Sequence, residues 1–234
     1  MHKARFLFAF LFLVSAATPA AAETLLVGST GDYAPLTVYD PATGEWLGRD
    51  VELIRAFAAE TGREITFVQT TWPDLMADLQ ADRFALAIGG ISWTKDRAEV
   101  AIASDTIETF GKVALARCSI AEAMGSLDAI DRAGIRIVSN RGGTNERFAL
   151  ANVRNAILTI LPNNELPFEY LRAEVADVMF TDSIEADYLA QTDARLCVSA
   201  GPFTQDTKVA LFRRDEPELA AAFDAWLAGR KSAD

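Results

Sequence analysis

Histidine is almost missing from this sequence: its 234 residues include a single one, His2. The segment around it, MHKARFLFAFLFLVSAATPAAAE, has a basic start at Lys3 and Arg5, an apolar run from Phe6 to Val14 and small residues ending at Ala22. That is the pattern of a secretory signal peptide, residues 1–22, with an apolar run too short to span a bilayer. The mature chain is therefore expected to be exported to the periplasm and to contain no histidine. Ser-His and Cys-His nucleophile pairs and histidine metal sites are excluded. A general acid would have to be Asp, Glu, Lys, Tyr or Cys.

Cysteine is scarce too. Cys118 and Cys197 form no CxxC motif, so nothing suggests redox chemistry. In an oxidising compartment a disulfide between them is expected, the alternative being two buried thiols. Excess positive charge is also lacking. Losing Lys3 and Arg5, with no acid lost, moves the formal net charge from −11 to about −13, which makes nucleic acid and anionic membranes poor partners. No transmembrane segment follows the signal peptide, and no low-complexity tract, repeat or flexible linker is apparent.

What is present is alternation. TLLVGST (24–30), EITFVQ (64–69) and FALAIGG (84–90) read as strands, separated by a helix over 50–62 and a second from WPDL, with Pro73 in its first turn. The pattern restarts with KVALARC (112–118), GIRIVSN (134–140), AILTILP (156–162) and ADVMF (176–180), with helices from about Thr144, Leu166 and Asp182. KVALFRR (208–214) and a helix over EPELAAAFDAWLAGR close the chain. Strands separated by single helices predict parallel βαβ sheets, and two series predict two α/β lobes with a cleft between them.

Three stretches fall at strand ends, where such folds place their sites. In GGISWTKDR (89–97), Gly90 admits close approach to the backbone, Ser92 offers a hydroxyl and Arg97 a forked carboxylate grip; the structural alternative is an ordinary loop with a surface Arg. In RGGTNERF (141–148), Thr144 and Asn145 open a helix whose free N–H groups suit an anion, or Thr144 simply caps it. In VMFTDSIEADYL (178–189), Asp182 and Glu185 form either a capping box or a pair of carboxylates for chemistry. Tyr33 and Trp72 follow other strands, as pocket walls or as core.

The order TGDY-A-P, DVELI, TTWPDLMADLQADRF, GGIS with a later Arg, GK, RC, GGTNERF, DVMFTDSIEA and RRDE resembles the type II periplasmic solute-binding proteins of the polar amino-acid class over nearly the whole mature chain. More narrowly, it is similar to the exported arogenate/prephenate dehydratases that share that fold. The resemblance implies a two-lobed fold, with residues 23–112 and 207–234 in lobe 1 and 113–206 in lobe 2. It implies that Ser92, Arg97 and Thr144 hold a ligand carboxylate, that Asp182 takes an ammonium group, and that Glu185 is the catalytic acid, with Trp72, Lys112 and Asn145 at other active-site positions. Lys112 would bind a substrate carboxylate. The chain departs from the dehydratases in starting almost on its first strand, in stopping after WLAGRKSAD, and in having Ala85 where an acid is frequent. The reaction implied needs no metal or organic cofactor, and the ligand would be a small carboxylate or amino-acid-like molecule. The rival reading is a transport binder delivering an amino acid to an ABC permease.

Overall fold

The computed structural model describes residues 24–231; the expected signal peptide lies outside the described residues. The chain begins with β1 (Thr24–Ser29), in which Leu25 and Val27 are buried while Thr24 and Leu26 face outward. Three short strands follow, β2 (Asp32–Tyr33), β3 (Thr37–Asp40) and β4 (Glu45–Leu47). Helix α1 (Arg49–Glu60) buries Val51, Ile54, Phe57 and Ala58, which recur at helical spacing. It ends where Gly62, at φ +69, turns the chain and the Thr61 N–H bonds the carbonyls of Phe57 and Ala58. Next come β5 (Glu64–Gln69), α2 (Leu75–Gln80), β6 (Leu86–Ala87), α3 (Lys95–Val100), β7 (Ile102–Ala103) and β8 (Glu108–Phe110).

A second series runs β9 (Lys112–Arg117), α4 (Cys118–Ala121), α5 (Leu127–Ile130), β10 (Arg136–Asn140), α6 (Thr144–Asn152), β11 (Ile157–Leu161), α7 (Leu166–Arg172), β12 (Val178–Asp182), α8 (Ser183–Thr192) and β13 (Leu196–Ala200). The chain returns through β14 (Asp206–Lys208) and β15 (Leu211–Phe212) to α9 (Pro217–Lys231).

Two five-stranded sheets result, ordered β5-β1-β6-β15-β7 and β11-β10-β12-β9-β13. They are mixed rather than parallel. β1 pairs parallel with β5 and β6, and β10 with β11 and β12, but β15 and β9 run antiparallel to both of their neighbours. The physical reason is the route of the chain. β9 and β15 are the strands by which the chain enters each sheet from the other one, so no crossover helix obliges them to run parallel. The two crossing segments pair with each other as β8 and β14, with Lys208 opposite Glu108.

Both faces of each sheet are covered, which is why central strands such as β12 are buried along their whole length. On one face of the first sheet Val27, Leu86 and Phe212 pack with Ile54, Phe57 and Phe223. On the other, Ala87 and Leu211 meet Leu75, Leu79 and Phe84. Each such fully buried Leu or Phe stabilises the fold by about 1.5–3 kcal/mol, and truncating Phe57 to Ala would cost about 3–5 kcal/mol. The second sheet is similarly enclosed, by Leu171, Ala186 and Leu189 on one side and Ile130, Ala149 and Phe180 on the other. A disulfide joins Cys118 to Cys197, with their Cα atoms 4.9 Å apart. Among the described residues no helix is long and apolar enough to cross a membrane.

Several local expectations need correction. KVALFRR is two strands, because Val209 and Ala210 turn their N–H groups to the Ile91 carbonyl and the Ser104 hydroxyl. Helix α2 starts at Leu75, after Pro73 rather than around it. Arg97 belongs to a helix, not to a loop.

Candidate functional site

The rim of the first sheet is built around Gly90, which follows β6. Its φ is +64, and a Cβ there would collide with Tyr33 Cε1, so both backbone and space demand glycine. Its N–H donates to Asp50 Oδ2 at 2.7 Å; burial holds that carboxyl up at about 6. Arg97, buried on α3, donates from Nη1 to the Ser92 carbonyl at 2.7 Å. Desolvation, aided by Arg147, brings its guanidinium down to about 10. The loop carrying Ser92 is thus pinned from behind at two points.

The facing rim belongs to the second sheet. Asn140 ends β10, and glycines lead into α6. The cap position is Gly143, not Thr144, and no side chain caps this terminus. Thr144 Oγ1 instead stands 3.3 Å from Ser92 Oγ, hydroxyl against hydroxyl across the two sheets. Asn145 donates to Asn140 Oδ1 at 3.0 Å, and its own buried Oδ1 has no partner among the described residues. Tyr33 and Trp72 meet edge to face at 5.8 Å, and Trp72 Nε1 donates to Asp32 at 3.1 Å.

At the junction of β12 and α8 the capping-box account fails. Asp182 occupies the cap position but makes no side-chain bond to the helix. Its Oδ1 accepts from Lys112 Nζ at 2.6 Å, and its Oδ2 from Lys208 Nζ at 2.5 Å and from the Tyr33 hydroxyl. Charge-assisted bonds from two ammonium groups outweigh a neutral bond to a backbone N–H. Glu185 does not reach back to the cap either: Thr181 Oγ1 donates to its Oε2, and Asn164 Nδ2 to its Oε1 at 2.6 Å.

These groups are deeply buried, with Lys112 1%, Asp182 3%, Lys208 3% and Glu185 4% exposed. Burial alone would raise the Asp182 carboxyl; Lys112 and Lys208 more than reverse this, holding it far below the usual carboxylate range. Lys208 is pushed down to about 8, by desolvation first and by Lys112 as well, against the pull of Asp182. Glu185 rises to about 8, because desolvation, with the nearby charges of Asp182 and Asp32, outweighs the bonds from Thr181 and Asn164. Tyr33 stays well above 10 through burial and the adjacent carboxylates, so it serves as a donor.

Tyr33, Trp72, Gly90, Ser92, Thr144, Asn145 and Asp182 all surround one cavity of about 20 Å³ between the sheets. Asn140, Gly143 and Asn164 complete its wall. Arg97, Lys112 and Glu185 are not in that wall. Arg97 sits behind Ser92, Lys112 faces Asp182 and, at 3.6 Å, Asp206, and Glu185 lies beyond Asn164, bordering a second cavity of about 450 Å³.

Sequence reasoning did not single out Lys208, Asn164, Thr181 or Asp32. For Lys208 a signal exists: KVAL occurs at 112–115 and again at 208–211, and the two lysines heading it bracket Asp182. Asn164, in the loop before α7, bonds Asp32 of the opposite rim through its N–H at 3.1 Å, and nothing in its local sequence marks that contact.

The two-lobed α/β fold with this cleft places the chain among extracellular solute-binding proteins. The family profile of bacterial extracellular solute-binding proteins, family 3, matches residues 25–233, and the chain belongs to that family. Its relatives include the cyclohexadienyl dehydratase of Pseudomonas aeruginosa, 36% identical over 205 residues, covering 87% of this chain and 76% of that one. Among solved structures, AncCDT-1, an ancestral amino acid-binding protein and a precursor of cyclohexadienyl dehydratase, matches with a TM-score of 0.83 and 29% identity over 89% of this chain and 90% of that one. A single-substitution form of AncCDT-3, an ancestral cyclohexadienyl dehydratase, is 39% identical over 90% of this chain and 88% of that one, with a TM-score of 0.52.

Proposed function

We propose that this chain is an exported cyclohexadienyl dehydratase of the periplasm, converting prephenate to phenylpyruvate, arogenate to phenylalanine, or both, with Glu185 as general acid. The observation that carries this reading is the Glu185 carboxyl, buried beside the cleft and bonded by Thr181 and by Asn164 of the cleft wall, where burial raises its pKa to about 8. The reaction needs the protonated state. Glu185 gives its proton to the departing ring hydroxyl, which leaves as water; the ring carboxylate leaves as CO₂ and its bonding electrons complete the aromatic ring. Glu185 then regains a proton from solvent. Burial supplies the raised pKa that a general acid requires at this pH.

Ser92, Thr144 and the uncapped start of α6 suit a ligand carboxylate. Asn145, with its unpartnered oxygen, suits a ligand hydroxyl donor. Lys112 enters this reading as the residue that holds Asp182, not as a direct grip on substrate. A ring substrate needs roughly 300 Å³ or more, so the lobes, divided as residues 23–112 with 207–234 against 113–206, open about the paired strands β8 and β14. A relative of higher identity that superposes at a lower TM-score than AncCDT-1 is what two settings of such a hinge produce.

The rival reading, an amino-acid binder serving a permease, is supported by the amino acid-binding description of AncCDT-1. It leaves the buried neutral acid without a purpose. Purified mature protein mixed with prephenate, with phenylpyruvate followed by absorbance, tests the choice. Turnover that vanishes in Glu185→Gln supports the enzyme; no turnover with tight binding of an amino acid supports the carrier.

A further inference from the structure

The groups around Asp182 form a chain of alternating charge. From the cavity outward it runs Ser92 Oγ, Lys208 Nζ at 2.8 Å, Asp182 at 2.5 Å, Lys112 at 2.6 Å and Asp206 at 3.6 Å. Its outer end is an acid on the strap between the lobes. Its inner end, beside the cavity, is a cation hydrogen-bonded to a hydroxyl of the cavity wall. Asp182, the one acid of that wall, has both oxygens engaged by protein donors, Tyr33 included. Lys208 has three N–H groups and uses two of them.

A ligand ammonium placed at Asp182 would be a third cation around one deeply buried carboxylate, with Arg97 buried behind Ser92 as a further positive charge. A ligand carboxylate at Ser92 and Lys208 instead continues the alternation. The remaining acids nearby do not alter this order: Asp50 is bonded to the Gly90 N–H, Asp32 to Trp72 and Asn164, and Glu185 to Thr181 and Asn164.

We infer that Lys208 is the specificity-determining residue of this cleft: with Lys112 it closes Asp182 to an α-ammonium group and, with Ser92, takes a carboxylate, so that the site selects a 2-keto acid over the corresponding α-amino acid. This rests on the dehydratase reading, in which the two ligands are prephenate and arogenate, and it assigns the chain to the first.

Binding decides the inference and turnover decides the reading on which it rests. Phenylpyruvate and L-phenylalanine, which differ only in keto against amino, are titrated calorimetrically into the wild-type protein. Prephenate and arogenate are titrated into Glu185→Gln and into Glu185→Gln with Lys208→Met. The expected result is a keto acid bound at least tenfold more tightly in each pair, with Lys208→Met bringing the prephenate-to-arogenate ratio toward one. A ratio cancels any general loss of folded protein, and the phenylpyruvate pair needs no variant at Lys208. Equal or tighter binding of the amino acid, a ratio unmoved by Lys208→Met, or no binding of either ligand overturns the inference. Wild-type protein that prefers keto acids yet turns over neither substrate would overturn the dehydratase reading and leave the selectivity standing.

Discussion

Replacing Glu185 by Gln should make the protein more stable, and by an amount that grows with pH. Glutamine is the neutral near-isostere of the protonated acid: its oxygen can accept from Asn164, and its amide N–H can point to Thr181 Oγ1, which then accepts where it donates to the carboxylate. What it removes is titration. Glu185 is raised from 4.5 to about 8, so between those values the folded protein holds a proton that the unfolded chain has released. Stability is then fully present below pH 4.5 and declines by about 1.4 kcal/mol per pH unit as pH rises toward 8, to a total near 5 kcal/mol. The glutamine variant escapes that decline. Its stability advantage over wild type should increase by about 2.5 kcal/mol between about pH 5 and pH 7. Urea unfolding of both proteins at the two pH values, followed by tryptophan fluorescence, measures it directly, since all other titrating groups cancel in the difference. An advantage that stays constant with pH would refute the buried, protonated acid and with it the proposed catalytic role.

The same ionisations shape activity: kcat/KM for prephenate should fall above about pH 8 by more than a factor of ten per pH unit, because Glu185 loses its proton and Lys208 its charge in the same range. A stopped assay in matched-ionic-strength buffers reads this, and a flat profile up to about pH 9.5 contradicts both assignments. Gly90→Ala forces a side chain at φ +64 into Tyr33, so it should cost about 1–3 kcal/mol and abolish ligand binding; an alanine variant with unchanged melting and affinity would show that the contact yields freely. Reducing Cys118–Cys197, which are separated by 79 residues, should lower stability by up to about 4–5 kcal/mol, seen as an earlier urea midpoint with dithiothreitol. An unmoved midpoint would mean that the unfolded chain gains little from losing this link.

The sequence made the long, two-face-buried strands legible because their apolar runs are continuous, as in ADVMF and KVALARC. It did not show β2 to β4, whose two to four residues each carry too little periodicity to register. Strand direction was hidden at β9 and β15 because direction there follows from which lobe the chain has just left, a non-local fact. At the site, glycine turns and a carboxylate pair pointed to strand ends that the fold brings together around one cavity. Their chemistry was only half visible. Asp182 and Glu185 lie three residues apart, which reads as a cap, yet their partners come from Tyr33, Lys112, Asn164 and Lys208. Arg97 was legible as a residue type, but its bond from Nη1 to the Ser92 backbone carbonyl depends on how the loop folds back over α3, which local sequence does not encode.

The link between Cys118 and Cys197 has a topological meaning as well as an energetic one. It ties the first residue after β9 to β13, the strand beside it in the second sheet, so that residues 118–197 form a covalently closed ring whose ends meet at two adjacent strands. To the rest of the chain, the residues in between behave as an insertion with a very short effective length, since the entropy of closing that loop has been settled by the link itself.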